Sequence, residues 1–287
     1  MRKIKEFFIE KLILICGLAS IFFVVLIFLF LLKEGLSVFI TVSPFKFLFG
    51  KSWYPISEPA QLGILPLIMG SLLVTLGAAV ISVPIGVGCA IYIAEVAPLK
   101  LKEILKASIE LLVAIPSVVL GFIGMVTLVP LIKNVFHLPT GLTALSGSIM
   151  LAFMAMPTIV SIAEDALYSV PKNYKEGALA LGATRWQMIW RVMLPAASSG
   201  IVAAIMLGIG RVIGETMAVM MITGNSAVLP KSILVPVRTL TATIAAEMGE
   251  AVVGSEHYFA LFSIGIVLFI ISFAINVTAD LFLHKRQ

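Results

Sequence analysis

The sequence predicts an all-α membrane protein of six spans, and three observations carry that reading. Hydrophobic residues make up 60% of the 287 positions and charged residues only 12%, with a mean hydropathy of +1.13; soluble domains hold roughly 45–50% apolar and ~25% charged residues. The apolar residues gather in runs long enough to cross a bilayer, for which about 20 residues suffice. Lys and Arg cluster where those runs end. A soluble enzyme and a nucleic-acid-binding protein are both disfavoured. No soluble domain of enzymatic size lies between the runs, and the net charge of +5 sits at span borders rather than on one face.

Taken in order, a basic terminus (Arg2, Lys3, Lys5, Lys11) precedes an apolar run over 12–32. That run exceeds the roughly 7–15 residues of a signal-peptide core and no small-residue cleavage site follows, so it reads as a retained first span. Residues 33–60 carry Trp53, Tyr54, Pro44, Pro55 and Pro59, which suits an external loop with interfacial anchors. Gly50, Lys51 and Ser52 echo the end of a phosphate-binding loop, but Phe45 stands where its opening glycine belongs. The stretch 62–97 is too long for one upright helix and contains Pro66 and Pro84, which predicts a lateral entry segment followed by a kinked span. Lys100, Lys102 and Lys106 mark a short return on the side of the N terminus. A third span over 109–132 holds Pro116; a turn through Asn134, His137 and Pro139 leads to a fourth over 142–163, with Pro157.

The fifth span is expected over 196–222 and the sixth ends near Leu283. Between them the external loop 223–257 contains a helical pattern over 238–252, with Leu240, Ile244 and Met248 on one face and Glu247 and Glu250 on another. Contact with a delivering partner and a plain surface helix are both compatible with that pattern. Thirteen of the 20 Lys and Arg lie in inner segments, six in outer ones, and Arg211 lies within the fifth span, which places both termini in the cytoplasm. The organisation expected is a first helix and external loop over 1–60, then a five-helix core over 61–287 with a cytoplasmic segment at about 165–195.

Prolines inside the second, third and fourth spans are tolerated where neighbouring helices answer the freed backbone groups, which favours a packed bundle with a path through it. Gly200, Ala204 and Gly208, and again Gly210, Gly214 and Ala218, recur every four residues and permit close helix packing. Cys16 and Cys89 fall in apolar runs and are expected to pack as small hydrophobes. The methionines of the fourth and fifth spans read as adaptable packing. His137, His257 and His284 are dispersed, so no metal-ligand set and no nucleophile constellation is predicted.

The costly feature is GRVIGET, with Arg211 and Glu215 one helical turn apart and Thr216 beside them. A charge at the bilayer centre costs roughly 2.5–3.5 kcal/mol on insertion scales, so both residues call for a reason. Two readings stand. One is a structural ion pair at i, i+4 that fixes the bundle. The other is an anion site, since the planar guanidinium fork suits phosphate oxygens and Glu215 would temper its field.

The segment 176–195 is built to be gripped from outside the membrane. Pro171 suits a helix start and Gly182 a left-handed helix end. Thr184 and Gln187 have capping-box spacing for a second helix, with Trp186, Ile189, Trp190 and Met193 on one face; Pro195 ends or kinks it. Here the sequence resembles the cytoplasmic loop of ABC importer permeases, a pattern of E-A-A, three residues, G, nine residues, I, one residue, L-P. The matching positions are Glu176, Ala178, Gly182, Val192, Leu194 and Pro195, with Gly177 in place of the first alanine and Val192 in place of the isoleucine. The resemblance implies a type I ABC importer permease fold and a coupling helix that docks on a separate ATPase through Glu176, Gly177, Ala178, Gly182, Leu194 and Pro195.

The runs over 61–98, 115–122 (IPSVVLGF), 156–171 (MPTIVSIAEDALYSVP) and 210–219 (GRVIGETMAV) narrow the resemblance to PstC-type permease subunits of bacterial high-affinity phosphate ABC importers. It covers the chain from about residue 52 onward. It implies inorganic phosphate as cargo; the function expected is a permease working by alternating access, with Arg211, Glu215 and Thr216 on the substrate pathway. Implied partners are a second permease (PstA-like), a dimeric ATPase (PstB-like) carrying the ATP and magnesium, and a phosphate-binding protein (PstS-like) outside, all at the cytoplasmic (inner) membrane. The chain itself has no Walker A motif, so no cofactor of its own and no enzymatic activity are expected. Import of another oxyanion or small solute is the alternative cargo, and a signalling scaffold that reports phosphate supply is the alternative role.

Overall fold

The computed structural model describes residues 2–284, and the side chains of residues 9–278. Helix α1 (Arg2–Leu36) is followed by a 3-10 turn (Ser37–Ile40), the short helix α2 (Pro44–Phe49) and a two-residue hairpin of β1 (Trp53–Tyr54) and β2 (Gln61–Leu62). Helix α3 (Leu65–Ile91) ends in a wide π turn (Tyr92–Val96), and α4 (Leu99–Val113) leads to α5 (Ser117–Val135) and α6 (Ala144–Tyr168). Then come α7 (Lys172–Ala180), α8 (Arg185–Met188), a second π turn (Ile189–Met193), α9 (Leu194–Ala196) and α10 (Ser198–Gly214). Finally α11 (Met217–Ile222), α12 (Leu240–Glu247) and α13 (Glu256–His284) close the chain.

Among the described residues, five helical stretches are long and apolar enough to cross a membrane: Ile9–Ile40, Leu65–Val96, Ser117–Val135, Ala144–Tyr168 and Glu256–Thr278. A sixth span results if the pair Arg185–Ala196 and Ser198–Gly214, bent by 72°, is counted as one. The bend falls at Ala197, two residues after Pro195. In three places the spans differ from the sequence expectation. The stretch 62–97 holds no lateral entry segment: Pro66 occupies the first turn of α3, where its missing N–H costs nothing, and the helix runs on through Pro84. The third span begins at Ser117 rather than 109, because Pro116 in extended conformation separates α4 from α5. The fifth span is not continuous to 222 but breaks between Gly214 and Met217.

Helix α6 is the centre of the bundle, with α3 on one side and α10 on the other. Close approach is bought by small residues. A Cβ on Gly77 of α3 would lie 2.3 Å from the Ser148 hydroxyl, and one on Gly208 of α10 would lie 2.5 Å from Ile159. The Ser148 hydroxyl stands 3.2 Å from the Val74 carbonyl of α3, a polar tie across the dry interface. The stripe of Gly200, Ala204 and Gly208 thus packs on α6 as expected, whereas Gly210 and Gly214 meet nothing within 4 Å. Cys16 and Cys89 do not pack inside: both are exposed, on the outward faces of α1 and α3.

Helix α1 leans on α13 through Phe28 against Phe269 and Phe30 against Phe262, with ring centroids 4.7 and 5.5 Å apart. The Ser263 hydroxyl donates to the Gly35 carbonyl at the end of that contact. Beyond it, residues 37–64 fold into a cap with α12 and the start of α13, around Phe47, Trp53, Leu67, Leu240 and Leu261. Trp53, expected as an interfacial anchor, is instead 2% exposed and part of this core, while Tyr54 faces out. The hairpin pairs Trp53 with Leu62 and Tyr54 with Gln61, joined by the loop 55–60.

Candidate functional site

The break in the fifth span is built from its own sequence. Glu215 leaves the helix with φ −69° and ψ 131°, and its carboxylate accepts from the Ala218 N–H at 3.2 Å, capping α11. The Glu215 carbonyl, freed by the break, accepts from the Thr241 hydroxyl of α12 at 2.9 Å. Thr216 turns its hydroxyl back to the Gly214 carbonyl at 3.2 Å. The backbone groups opened here are therefore answered by side chains, as a break inside a membrane requires.

Arg211 lies in the last turn of α10, one turn before that break, where a cation faces the negative end of the helix dipole. It is half-buried and lines a cavity of about 400 Å³ with Leu120, Ile123, Thr127, Met150 and Phe153 from α5 and α6. No hydrogen bond or ion pair holds its guanidinium among the described residues, and Glu215 is not its partner. The break takes Glu215 off the helical path on which an i, i+4 pair would form. A permanently charged fork facing an otherwise apolar groove is a place for an anion to be met.

At the opposite end of α10 the segment over 171–195 has the expected caps. Gly182 has φ +83°, open to glycine without strain, and closes α7 in a Schellman motif: its N–H donates to Leu179 O at 3.0 Å and Ala183 N–H to Ala178 O at 3.1 Å. Thr184 and Gln187 form the capping box at 3.2 and 2.9 Å. Pro171 caps α7 from outside its first turn, in extended conformation. Glu176, Gly177 and Gly182 are exposed, Ala178 and Leu194 pack partly against the core under the segment, and Pro195 is exposed at the bend. The face expected to hold Trp186, Ile189, Trp190 and Met193 divides. Ile189 and Met193 are buried with Met188, whereas Trp186 and Trp190 point outward, 5.6 Å apart edge to face. The wide turn at Ile189–Met193 shifts the inward register, which a 3.6-residue period does not foresee.

Two charge clusters escaped sequence reasoning. On α6, Glu164 is 3% exposed and accepts from Lys102 and Lys106 of α4, each at 2.8 Å, while Lys106 also reaches Asp165 at 3.0 Å. These hydrogen bonds, that to Glu164 first, push the Lys106 ammonium above its ordinary range. Lys102 also lies 4.7 Å from the centre of the Tyr168 ring. An acidic pair closing an apolar run was the available signal. In the cap, Glu247 accepts from Trp53 Nε1 at 3.1 and 3.2 Å and pairs with Arg238 and, at 2.9 Å, with His257. The expected free helix over 238–252 is in fact the eight-residue α12, buried at Leu240, Thr241, Ala242 and Thr243. Glu247 serves as its anchor, half-buried, while Glu250 faces out.

The chain resembles known proteins both in sequence and in fold. The chain matches the family described as "Binding-protein-dependent transport system inner membrane component" over residues 82–286. It is 45% identical over 260 residues to the "Probable ABC transporter permease protein YqgH" of Bacillus subtilis, covering 90% of this chain and 84% of that protein. It is 37% identical to the "Phosphate transport system permease protein PstC" of Xylella fastidiosa, covering 84% and 79%. Among solved structures, the bacterial alginate ABC transporter in complex with alginate pentasaccharide-bound periplasmic protein aligns with TM-score 0.68 at 15% identity, covering 97% of this chain and 94% of that one. The inward-facing MetNI methionine ABC transporter aligns with TM-score 0.63 at 19% identity, covering 81% and 100%. The fold is that of type I ABC importer permeases, and the chain belongs to the family of binding-protein-dependent transport system inner membrane components.

Proposed function

We propose that this chain is the PstC-type permease subunit of an ATP-driven importer that carries inorganic phosphate across the cytoplasmic membrane by alternating access. The relatives named for phosphate transport match over most of the chain. The observation that carries the reading is Arg211, a guanidinium held in an apolar groove beside a helix break and bound by no carboxylate of the described residues. Phosphate oxygens fit its planar fork, and the half-exposed setting lets the anion leave again. Glu215 and Thr216 shape the break next to it, with the Glu215 charge kept on the cap of α11 rather than spent on Arg211.

Glu176, Gly177, Ala178, Gly182, Leu194 and Pro195 would then be the grip for the ATPase, with α7 as the coupling helix. ATP hydrolysis belongs to that separate subunit, with its ATP and magnesium. A second, PstA-like permease would complete the path, and a PstS-like binding protein would deliver phosphate at the cap, with both chain termini in the cytoplasm. In that arrangement, closing of the ATPase dimer moves α7 and the spans rock about the path. Labelled phosphate uptake by cells stripped of other phosphate transporters tests the cargo. Uptake that depends on this chain and on Arg211, and that sulfate in excess does not reduce, is expected; equal competition by sulfate would point to a general oxyanion carrier instead.

A further inference from the structure

Helix α7 carries no buried residue; it packs chiefly on the segment that follows it, α8 and the Ile189–Met193 turn, with Ala178 partly buried against the core beneath. Its polar tie to a span distant in sequence is the ion pair of Lys175 with Glu95. Glu95 sits in the π turn that ends α3, its side chain only 8% exposed, with Lys175 at 24%. The turn is wide enough to swing this carboxylate toward α7, and the Ala97 N–H closes it on Tyr92 O at 2.9 Å.

From there α3 runs as one helix to the far side of the membrane, about 40 Å at 1.5 Å per residue. At its other end the Ser71 hydroxyl accepts from the Leu240 N–H at 2.9 Å, and Gly70 lies so close to Arg238 O that a Cβ would meet it at 2.4 Å. Leu240 opens α12, and the next residue, Thr241, is the one that holds the Glu215 carbonyl at the break. A continuous set of contacts thus joins α7 to the break beside Arg211, through one uninterrupted helix.

We propose that α3 is the connecting rod of the transporter, driven at Glu95 by Lys175 and acting on the Glu215 break through Ser71 and α12. Lys175, Glu95 and Ser71 are positioning residues, which touch neither cargo nor nucleotide. This rests on the reading of α7 as the coupling helix and of the break as part of the path. Rigid elements that carry coupling do so by differential contacts at both ends, and loss of one end removes a coupling of typically 5- to 150-fold. The Glu95 pair supplies the drive end as a directional, largely desolvated contact, for which a neutral amide is a weak substitute.

The test uses the whole reconstituted complex with its second permease, ATPase and binding protein, and reads hydrolysis per assembled complex with and without phosphate-loaded binding protein. Glu95→Gln and Lys175→Gln are expected to keep basal hydrolysis while stimulation by the loaded binding protein falls about fivefold or more. The exchanged pair Glu95→Lys with Lys175→Glu should recover most of the stimulation, and Ser71→Ala should reduce it without touching α7. A merely structural pair would lower the amount of complex and leave stimulation per complex unchanged. Parental stimulation in both single variants, or an exchanged pair no better than either, overturns the rod. A parental complex that phosphate-loaded binding protein does not stimulate overturns the phosphate reading, and the rod with it.

Discussion

Replacing Arg211 by Gln separates an anion site from a structural ion pair by the sign of its effect on stability. Were Arg211 paired with Glu215 inside the membrane, removing it would strand a carboxylate at a cost of about 3–5 kcal/mol. The geometry says otherwise. Glu215 is bound to the Ala218 N–H at 3.2 Å and its carbonyl to Thr241, so its contacts survive the change. What disappears is a half-buried cation with no partner among the described residues, whose burial costs up to roughly 2.5–3.5 kcal/mol on insertion scales. Arg211→Gln is therefore expected to assemble as well as the parent or better, and to melt no earlier. Transport should fall steeply, because one hydrogen bond to a charged group contributes about 1.5–3 kcal/mol, roughly ten- to a hundredfold in rate. Arg211→Lys should also lose transport although it keeps the charge, since an ammonium lacks the bidentate fork. Copurification with the partner subunits and a melting curve give assembly; labelled uptake gives function. A variant that misassembles alone and is rescued by adding Glu215→Gln would refute this reasoning, as would parental uptake in Arg211→Gln.

The remaining expectations concern the two ends and the centre of the bundle. Gly182→Trp should leave the permease folded but uncouple uptake from hydrolysis: a Cβ there meets no atom within 4 Å, yet φ +83° costs a side chain about 1–2 kcal/mol, and the indole would stand on the surface proposed to dock the ATPase; normal coupling in an assembled complex would count against α7 as the grip. Glu164→Leu should loosen α4 from α6 by about 1–3 kcal/mol, below the full cost of breaking a buried pair because Lys102 and Lys106 are 22% and 38% exposed and reach water. Faster proteolysis between α4 and α5 measures it, and an unchanged rate refutes it. Gly208→Leu should abolish the close contact of α10 with Ile159 and cost upward of ~1–3 kcal/mol as overpacking, seen as loss of folded protein; a folded, active variant would show that α10 is not pinned there.

What the sequence made legible were features whose cause is local. The Schellman end at Gly182 and the capping box of Thr184 with Gln187 are written within a few residues and appear where expected. The apolar runs located the spans for the same reason, since length and hydropathy alone decide membrane residence. Proline positions were legible but not their consequences: Pro116 separates two helices, whereas Pro84, with α6 packed against α3, leaves its helix continuous. The break at Glu215 was not legible, because GRVIGET reads as an unbroken helical turn until Thr241, 26 residues on, supplies the hydrogen bond that makes the break tolerable. The same holds for Glu247, whose partner Trp53 is 194 residues away. The π turns at Tyr92–Val96 and Ile189–Met193 have no period that a helical count reveals, and Glu95 and Trp190 lie within them.

Purified chain reconstituted into proteoliposomes with its second permease and ATPase, ATP enclosed on the ATPase side and phosphate-loaded binding protein on the other, shows whether this permease carries phosphate at the expense of ATP. The expected result is accumulation of labelled phosphate that requires ATP, the binding protein and Arg211 together. Hydrolysis stimulated by a binding protein loaded with a different solute, with no phosphate crossing the membrane, would contradict it.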